Sequence, residues 1–368
     1  MIPVNEPHIP KNAEKYVLDA VHSGWISSAG GYIEKFESSF AAYLHVRHAI
    51  TVTNGTAALH VALAALGIGK GDEVIIPDLT IISCALAVHY TGAVPVVCDV
   101  DPITGCIDPE KIEKKITKKT KAIMVVHLYG HPADMDPILD IAKKHHLFVV
   151  EDAAEAHGAL YKGKKVGGLG DVGCFSFYGN KIVTTGEGGM VVTNSDHINQ
   201  NVRLLKDLAH SPLKRFTHEK VGFNYRMTNM QAALGVSGVE EISWAIRKKR
   251  RMARTYTEGL KDIPSLVLPR ELPYVRSVYW MYALLVAKNA KITRDALRVC
   301  LKKQGVDTRD FFVPIHCQPV FTSMGLFSKE FYPVSDDLSA RGLYIPSGLA
   351  ITDKQQEEVI RLIHTILQ

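Results

Sequence analysis

Three groups in this chain have the types and spacing of a reacting centre. The first is Lys181, a lone amine in "CFSFYGNKIVTTGEGGMVVT" (174–193), among turn-forming residues between two strand-like flanks. Lysines in such turns commonly stay in water, because an ammonium is costly to bury. One held in a dry pocket becomes instead a nucleophile and a proton shuttle. The second group is Asp152, which with Glu151 ends the apolar run "LFVV" and precedes Ala153 and Ala154. A carboxylate at a buried strand end either caps a following helix or needs a cation. A protonated pyridine nitrogen would serve, and the small alanines leave room for a flat ring. The third group is the turn in "VTNGTAALHVAL", where Asn54-Gly55 leaves a strand and a helix begins near Thr56. Exposed N–H groups and the positive helix end bind anions there, with the Thr56 hydroxyl as a further donor. Simple N-capping by Asn54 or Thr56 is the alternative. Ser176, five residues before Lys181, could join Thr56 on a phosphate, and the glycines of "TGEGG" let backbone pass close to a ligand.

An anion cradle, a strand-end Asp and a later lysine together describe how a protein holds pyridoxal phosphate. That cofactor is an electron sink requiring a lysine for the Schiff base and an acid to keep its ring nitrogen protonated. Crowding by a cationic ring in a dry pocket lowers a lysine pKa, which suits proton transfer.

These groups need a scaffold, and the text supplies one. From about residue 48 to 195, "HAITVT", "DEVIIP", "VPVVCDV", "AIMVVHLYG" and "LFVVEDA" read as strands. Between them "TAALHVALAALGIG", "IISCALAVHYTG", "DPEKIEKKI" and "MDPILDIAKKHH" read as helices. That alternation predicts βαβ units and a large, mostly parallel sheet with helices on both faces, and such sheets bind ligands beyond the carboxyl ends of their strands. A long helix is expected over Asn229–Leu260. Beyond it, "VYWMYALLVA" and "LYIPSG" as strands, with "TRDALRVCLKKQG" and "TDKQQEEVIRLIHTIL" as helices, predict a smaller α+β domain.

Bulk properties exclude several classes. With 46% hydrophobic and 22% charged residues and a net charge of +5, the 368-residue chain reads as an ordinary globular protein. The start, "MIPVNEPHIPKN", has no signal-peptide pattern, and no apolar run reaches transmembrane length. The six cysteines (84, 98, 106, 174, 300, 317) form no CxxC pair, so a reduced cytoplasmic setting with buried thiols is expected. "KKITKKTK" (114–121) and "RKKRR" (247–251) are read as solvated helix faces, without nucleic-acid binding. "GLGDVG" (168–173) satisfies G-x-G-x-x-G, yet it precedes a strand, whereas a dinucleotide fingerprint follows one. His127 and His131 lack the helical context of paired ligands, and no metal is expected.

"TNGTAALHVAL", "EDAAEAHGA", "GCFSFYGNKIVTTGEGGMVVT" and "GFNYRMTNMQAALG" resemble the DegT/DnrJ/EryC1/StrS family of sugar aminotransferases, from "NEP" near the start to "LYIPSG" near the close. "GWISSAG", "HLYGHPADMDPI" and "IPSG" resemble its perosamine-forming branch, which aminates C4 of a GDP-linked 4-keto-6-deoxyhexose. The resemblance implies an aspartate-aminotransferase-like α/β fold (fold type I), with a large domain over 1–240, a small α+β domain over 241–368, and a homodimer with shared active sites. It places Lys181 on the Schiff-base lysine and Asp152 on the partner of the ring nitrogen. Thr56, Ala57 and Ser176, with Gly55 in the same turn, fall on phosphate contacts. Asn224 and Arg226 fall on residues given by the neighbouring subunit. Glu155 stands where relatives often carry Gln, and Ile81 where many carry an aromatic residue against the ring. Trp25, Ser27 and His316 are candidates for the nucleotide-sugar substrate. The implied reaction is a ping-pong transamination with glutamate as donor, a UDP- or dTDP-linked sugar or C3 amination being the alternative. Relatives that dehydrate replace the lysine with His, and Lys181 is present. A regulator would be expected to append a DNA-binding module, and none is seen.

Overall fold

The computed structural model describes residues 1–211, 213–214, 216–327 and 330–367. Seven strands form the main sheet: β1 (His48–Val52), β2 (Glu73–Pro77), β3 (Val94–Cys98), β4 (Thr120–Val126), β5 (Phe148–Asp152), β6 (Val172–Ser176) and β7 (Gly189–Thr193). Their order is β1-β7-β6-β5-β4-β2-β3. Only β7 runs against its neighbours β1 and β6, and the remaining pairings are parallel. The expected α/β architecture is therefore present. β6 and β7 are buried along their whole length, as strands covered on both faces must be.

The covering helices are α1 (Ala13–His22), α2 (Gly31–Leu44), α3 (Gly55–Ala65), α4 (Ser83–Tyr90), α5 (Met135–His145), α6 (Asp196–Lys206) and α7 (Asn229–Leu260). α3 buries eight of its residues, among them Ala58, Val61, Ala62 and Leu63, so it is a central element without a polar face. α7 has the bounds read from the sequence. Its start is fixed by a capping box in which Thr228 Oγ1 and Gln231 serve each other's backbone. The sequence reading did not assign α1 and α2, which pack on α7, nor α6.

α7 passes from the main core into a second one, where its Met252, Tyr256 and Leu260 meet Tyr282, Leu284, Leu343 and Val359. There an antiparallel sheet runs in the order Leu266–Val267, Tyr282–Val286, Gly342–Ile345, Arg309–Asp310. Helices Arg294–Lys303 and Asp353–Leu367 accompany it. Tyr282–Val286 falls within the first expected strand, and Gly342–Ile345 overlaps the second, starting one residue before it and ending at Ile345 ahead of Pro346.

Both charge runs differ from expectation. Residues 114–121 are no helix face: a 3-10 turn, Glu113–Lys115, leads through an exposed loop into β4. Residues 247–251 do lie on α7, but Lys249 is only 2% exposed. Its Nζ donates to Trp280 O at 2.6 Å and to Ser347 O. α7 passes from one core to the other here, and Lys249 lies on its covered face, whereas Arg247 and Arg251 stay exposed. Among the described residues no helix is long and apolar enough to cross a membrane. All six cysteines are unpaired, and four are buried, whereas Cys300 is half-buried and Cys317 exposed.

Candidate active site

β5 and β6 are parallel, and β1 runs antiparallel to their antiparallel neighbour β7, so all three point their carboxyl ends to one edge. Asp152 ends β5, Ser176 ends β6, and α3 starts just beyond β1. They meet at one cavity of about 590 Å³, whose wall also includes Lys181 and Ile81.

No helix follows Asp152, which removes the capping alternative. Its Oδ1 accepts from the Ala154 N–H at 3.0 Å and its Oδ2 from Cys84 Sγ at 3.2 Å. The carboxylate is buried, yet among the described residues no cation lies within salt-bridge distance of it.

At α3 the two sequence alternatives divide between residues. Asn54 Oδ1 takes the Ala57 N–H at 2.8 Å and is the cap. The Gly55 and Thr56 N–H groups, which have no intrahelical acceptor, are left at the cavity. Thr56 Oγ1 donates to Ser83 Oγ at 2.9 Å, adding a hydroxyl that the sequence reading passed over. A Cβ on Gly55 would come within 2.9 Å of Ser176 Cβ, so only glycine lets the two hydroxyl-bearing segments close on one point.

Lys181 is held inward. Its Nζ lies 3.8 Å from Glu155 Oε1 and 3.9 Å from the centroid of the Trp280 ring. Burial pushes its ammonium below the usual lysine range, with Glu155 and Asp152 opposing. Glu155 is itself buried and pushed up to about 7 by that burial, against the Lys181 charge and a 2.8 Å bond from the Tyr129 N–H. Trp280 lies two residues before the strand Tyr282–Val286 of the second sheet and packs into the main core. Its Nε1 donates to Asn180 O at 2.8 Å, which fixes the ring over the amine. Phe312 and Tyr344 reach the cavity from the same side. No spacing rule leads to these three, because they lie 99 or more residues beyond Lys181 and only the fold brings them there.

The other candidates are distributed as follows. Ala57 and Ile81 are in the wall, Ile81 remaining 38% exposed. Asn224 and Arg226 flank Tyr225, which does line the cavity and bonds His60 Nδ1 at 2.9 Å. They themselves turn to Asp207: Arg226 pairs with its carboxylate and Asn224 with its backbone. Trp25 is 59% exposed, and Asn229 holds its loop through Trp25 O (2.7 Å) and Ser27 O (2.6 Å). His316 lies outside the cavity and bonds Asp78.

Two further motifs find plain explanations. "GLGDVG" wraps the buried Glu151, whose carboxylate accepts the N–H groups of Gly167, Leu169 and Gly170 at 2.7 Å and faces His127 Nε2 at 3.0 Å. Burial pushes Glu151 up, but these partners outweigh it and hold it below the usual range. His127 Nδ1 accepts from the Ala133 N–H, and His131 Nδ1 lies 2.8 Å from Pro132 O, so both rings are engaged internally.

A buried carboxylate lacking a cation, a helix N-terminus flanked by hydroxyls, and an enclosed lysine fit pyridoxal phosphate: ring nitrogen, phosphate and aldehyde each have a counterpart. The comparisons agree. The DegT/DnrJ/EryC1/StrS aminotransferase profile matches residues 7–364. The chain is 43% identical over 367 residues to a GDP-perosamine synthase of Caulobacter vibrioides, covering 100% of this chain and 98% of that one. It is 45% identical to a GDP-perosamine synthase of Escherichia coli O157:H7, covering 96% and 95% respectively. The structure of DesV from S. venezuelae, solved with a ketimine intermediate, superposes with a TM-score of 0.91 at 35% identity, covering 97% of this chain and 94% of that one.

Proposed function

The chain belongs to the DegT/DnrJ/EryC1/StrS aminotransferase family, and on that premise we propose that it transfers the amino group of glutamate to C4 of a GDP-linked 4-keto-6-deoxyhexose. The product is the 4-amino-4,6-dideoxy sugar nucleotide, a precursor for surface polysaccharide. Full-length likeness to two GDP-perosamine synthases supports the substrate. The observation that carries the chemistry is Lys181, enclosed beside Glu155 in a cavity that also holds Asp152.

Bound pyridoxal phosphate supplies an aldehyde for the amine and a ring that takes up the electron pair left when a C–H bond beside nitrogen breaks. The chain's own groups do the rest. The Thr56 and Ser176 hydroxyls and the Gly55 and Thr56 N–H groups would hold the phosphate. Asp152, desolvated at the strand end, keeps the ring nitrogen protonated. Ile81 and Glu155, both in the cavity wall, would border the space that the ring takes. Lys181, whose lowered pKa favours the free amine, takes the proton from the donor's α-carbon and later gives one to C4 of the sugar. In balance, glutamate leaves as 2-oxoglutarate and the ketone leaves as an amine.

The working form in this reading is a homodimer, with Asn224 and Arg226 completing the neighbour's site. Both lie outside the cavity of their own chain, and apolar Val221, three residues before Asn224, is 86% exposed. Residues 1–240 form the large domain and 241–368 the small one, and the reaction runs in the cytoplasm. Trp25, Ser27 and His316 remain the candidates for substrate contact.

The test is to incubate holoenzyme and glutamate with GDP-, UDP- and dTDP-linked 4-keto and 3-keto sugars and read the products by mass spectrometry. A GDP-linked 4-amino product with an equal yield of 2-oxoglutarate is expected. Product from another nucleotide or from a 3-keto sugar alone would replace the substrate. No amination of any of them would remove the proposal.

A further inference from the structure

Away from the cavity, three unlike donors converge at the surface. His316 Nε2 lies 3.2 Å from Cys317 Sγ and 3.4 Å from Asp336 Oδ1, and Cys317 Sγ lies 4.0 Å from Asp336 Oδ1. With metal–ligand bonds of about 2.0–2.3 Å at tetrahedral angles, neighbouring ligands around zinc stand roughly 3.3–3.6 Å apart. Two edges of the observed triangle are within about 0.1 Å of that range, and the third, at 4.0 Å, needs the Asp336 side chain to move in by about 0.4 Å. We propose that His316, Cys317 and Asp336 form a three-ligand site for a divalent transition cation of the zinc type, with a fourth position open to water.

The histidine is prepared for the task from behind. Its Nδ1 faces Asp78 Oδ2 at 2.7 Å, and its backbone N–H donates to Asp78 Oδ1 at 2.9 Å. Asp78 is fully buried at the end of β2. A carboxylate bonded to one ring nitrogen fixes the tautomer and leaves the lone pair on the other, the arrangement found behind metal-binding histidines. The Tyr332 ring, 4.9 Å from the imidazole, restricts its rotation further. A thiolate, an imidazole and one carboxylate select a zinc-type ion over calcium or magnesium, which demand oxygen ligands. With Cys317 and Asp336 ionised, the two negative charges neutralise a dication. The sequence does not reveal this set, since the third ligand comes from the helix Pro333–Arg341 and no CxxC or HxxxH spacing is involved. Ion binding would tie the Ile315–Cys317 turn to that helix.

The experiment uses the reduced holoenzyme, treated with chelator and then dialysed against micromolar zinc. Zinc per chain is measured by elemental analysis, and alkylation of Cys317 is followed by peptide mass spectrometry, with half-buried Cys300 as internal control. Expected are one zinc per chain and at least a tenfold slower alkylation of Cys317, with Cys300 unchanged. Cys317→Ser and Asp336→Asn should each lose that zinc. Asp78→Asn should weaken binding by about 10–100-fold, the usual cost of losing such an outer partner. A chain that takes up no zinc, zinc retained in Cys317→Ser, or alkylation at an unaltered rate would each overturn the proposal.

Discussion

Two enclosed lysines of the molecule, Lys181 and Lys249, are opposites. Lys181 faces a cavity, has a carboxylate 3.8 Å away and an aromatic face 3.9 Å away, and donates no close hydrogen bond to either. Lys249 faces no acid. Its ammonium is spent on the carbonyls of Trp280 and Ser347, and burial pushes it down to about 7. Trp280 serves both, giving its ring to one lysine and its carbonyl to the other. A buried cation without fixed partners is free to change its bonding, which a nucleophile must do. A buried cation whose donors are committed to backbone is a strut. Burial alone therefore does not mark a catalytic lysine: partners and open space do.

Removing each amine separates the two most widely. Lys181→Ala is expected to cut turnover by more than about 10³-fold, since one group loses both its nucleophilic and its proton-transfer roles. Its melting temperature should stay within a few degrees of wild type, because the amine supports no backbone contact across the site. Calorimetry and a turnover assay on the same sample check both halves. A variant that keeps a tenth of the activity would end the assignment.

Lys249→Met should show the reverse, with stability lowered and Lys181 chemistry largely preserved. Leaving two buried carbonyls without a donor costs about 1–3 kcal/mol each, offset in part by removing a buried charge. The sign with pH is fixed. Lys249 falls from 10.5 to about 7 on burial, so its stabilising share is full above pH 10.5 and lost as pH falls through about 7. Wild type should therefore gain stability between pH 7 and 10 more steeply than Lys249→Met in urea titrations. Parallel slopes would mean that Lys249 keeps its proton throughout.

Trp280→Leu tests the shared residue at a smaller scale. The ring stabilises the Lys181 ammonium, a contact worth about 0.5–1 kcal/mol. Without it the amine should lose its proton more readily, and capture of pyridoxal phosphate by the apoprotein should reach its half-rate about 0.5 pH unit lower. Stopped-flow absorbance reads that midpoint. An unmoved midpoint would make Trp280 a wall and nothing more.

Much of this contrast was hidden in the sequence for a physical reason. Lys181 was legible because strand, turn and glycines surround it locally, and because Asp152 and Thr56 end neighbouring parts of a recognisable βαβ text. The strands of the main sheet, α3 and the long α7 were legible through their apolar periodicity. Lys249 was misread because "RKKRR" gives no sign that α7 crosses between two cores there; in a one-core helix the same text would be solvated. Trp280, Phe312 and Tyr344 were missed because their approach to Lys181 depends on how the second sheet packs on the first, which no local pattern encodes.

The finest test makes Lys181 resemble Lys249 by taking its acid away. Glu155→Gln keeps the size of the side chain and an oxygen to accept the Tyr129 N–H, so the wall should hold its shape. It removes the negative charge that raises the Lys181 pKa, so the half-rate for cofactor capture should again move to lower pH. Turnover should change by less than about tenfold, because the proton carrier is still present. The more specific sign lies in the acid limb. Glu155 rises from 4.5 to about 7 on burial, so its stabilising share is full below pH 4.5 and lost as pH climbs through about 7. Wild type should lose stability over that interval relative to the glutamine variant, whose urea midpoint should be flatter there. If both curves coincide, Glu155 is ionised at pH 5 and the enclosed amine has a permanent counter-ion. Lys181 would then differ from Lys249 in its charge partner as well as in its free space.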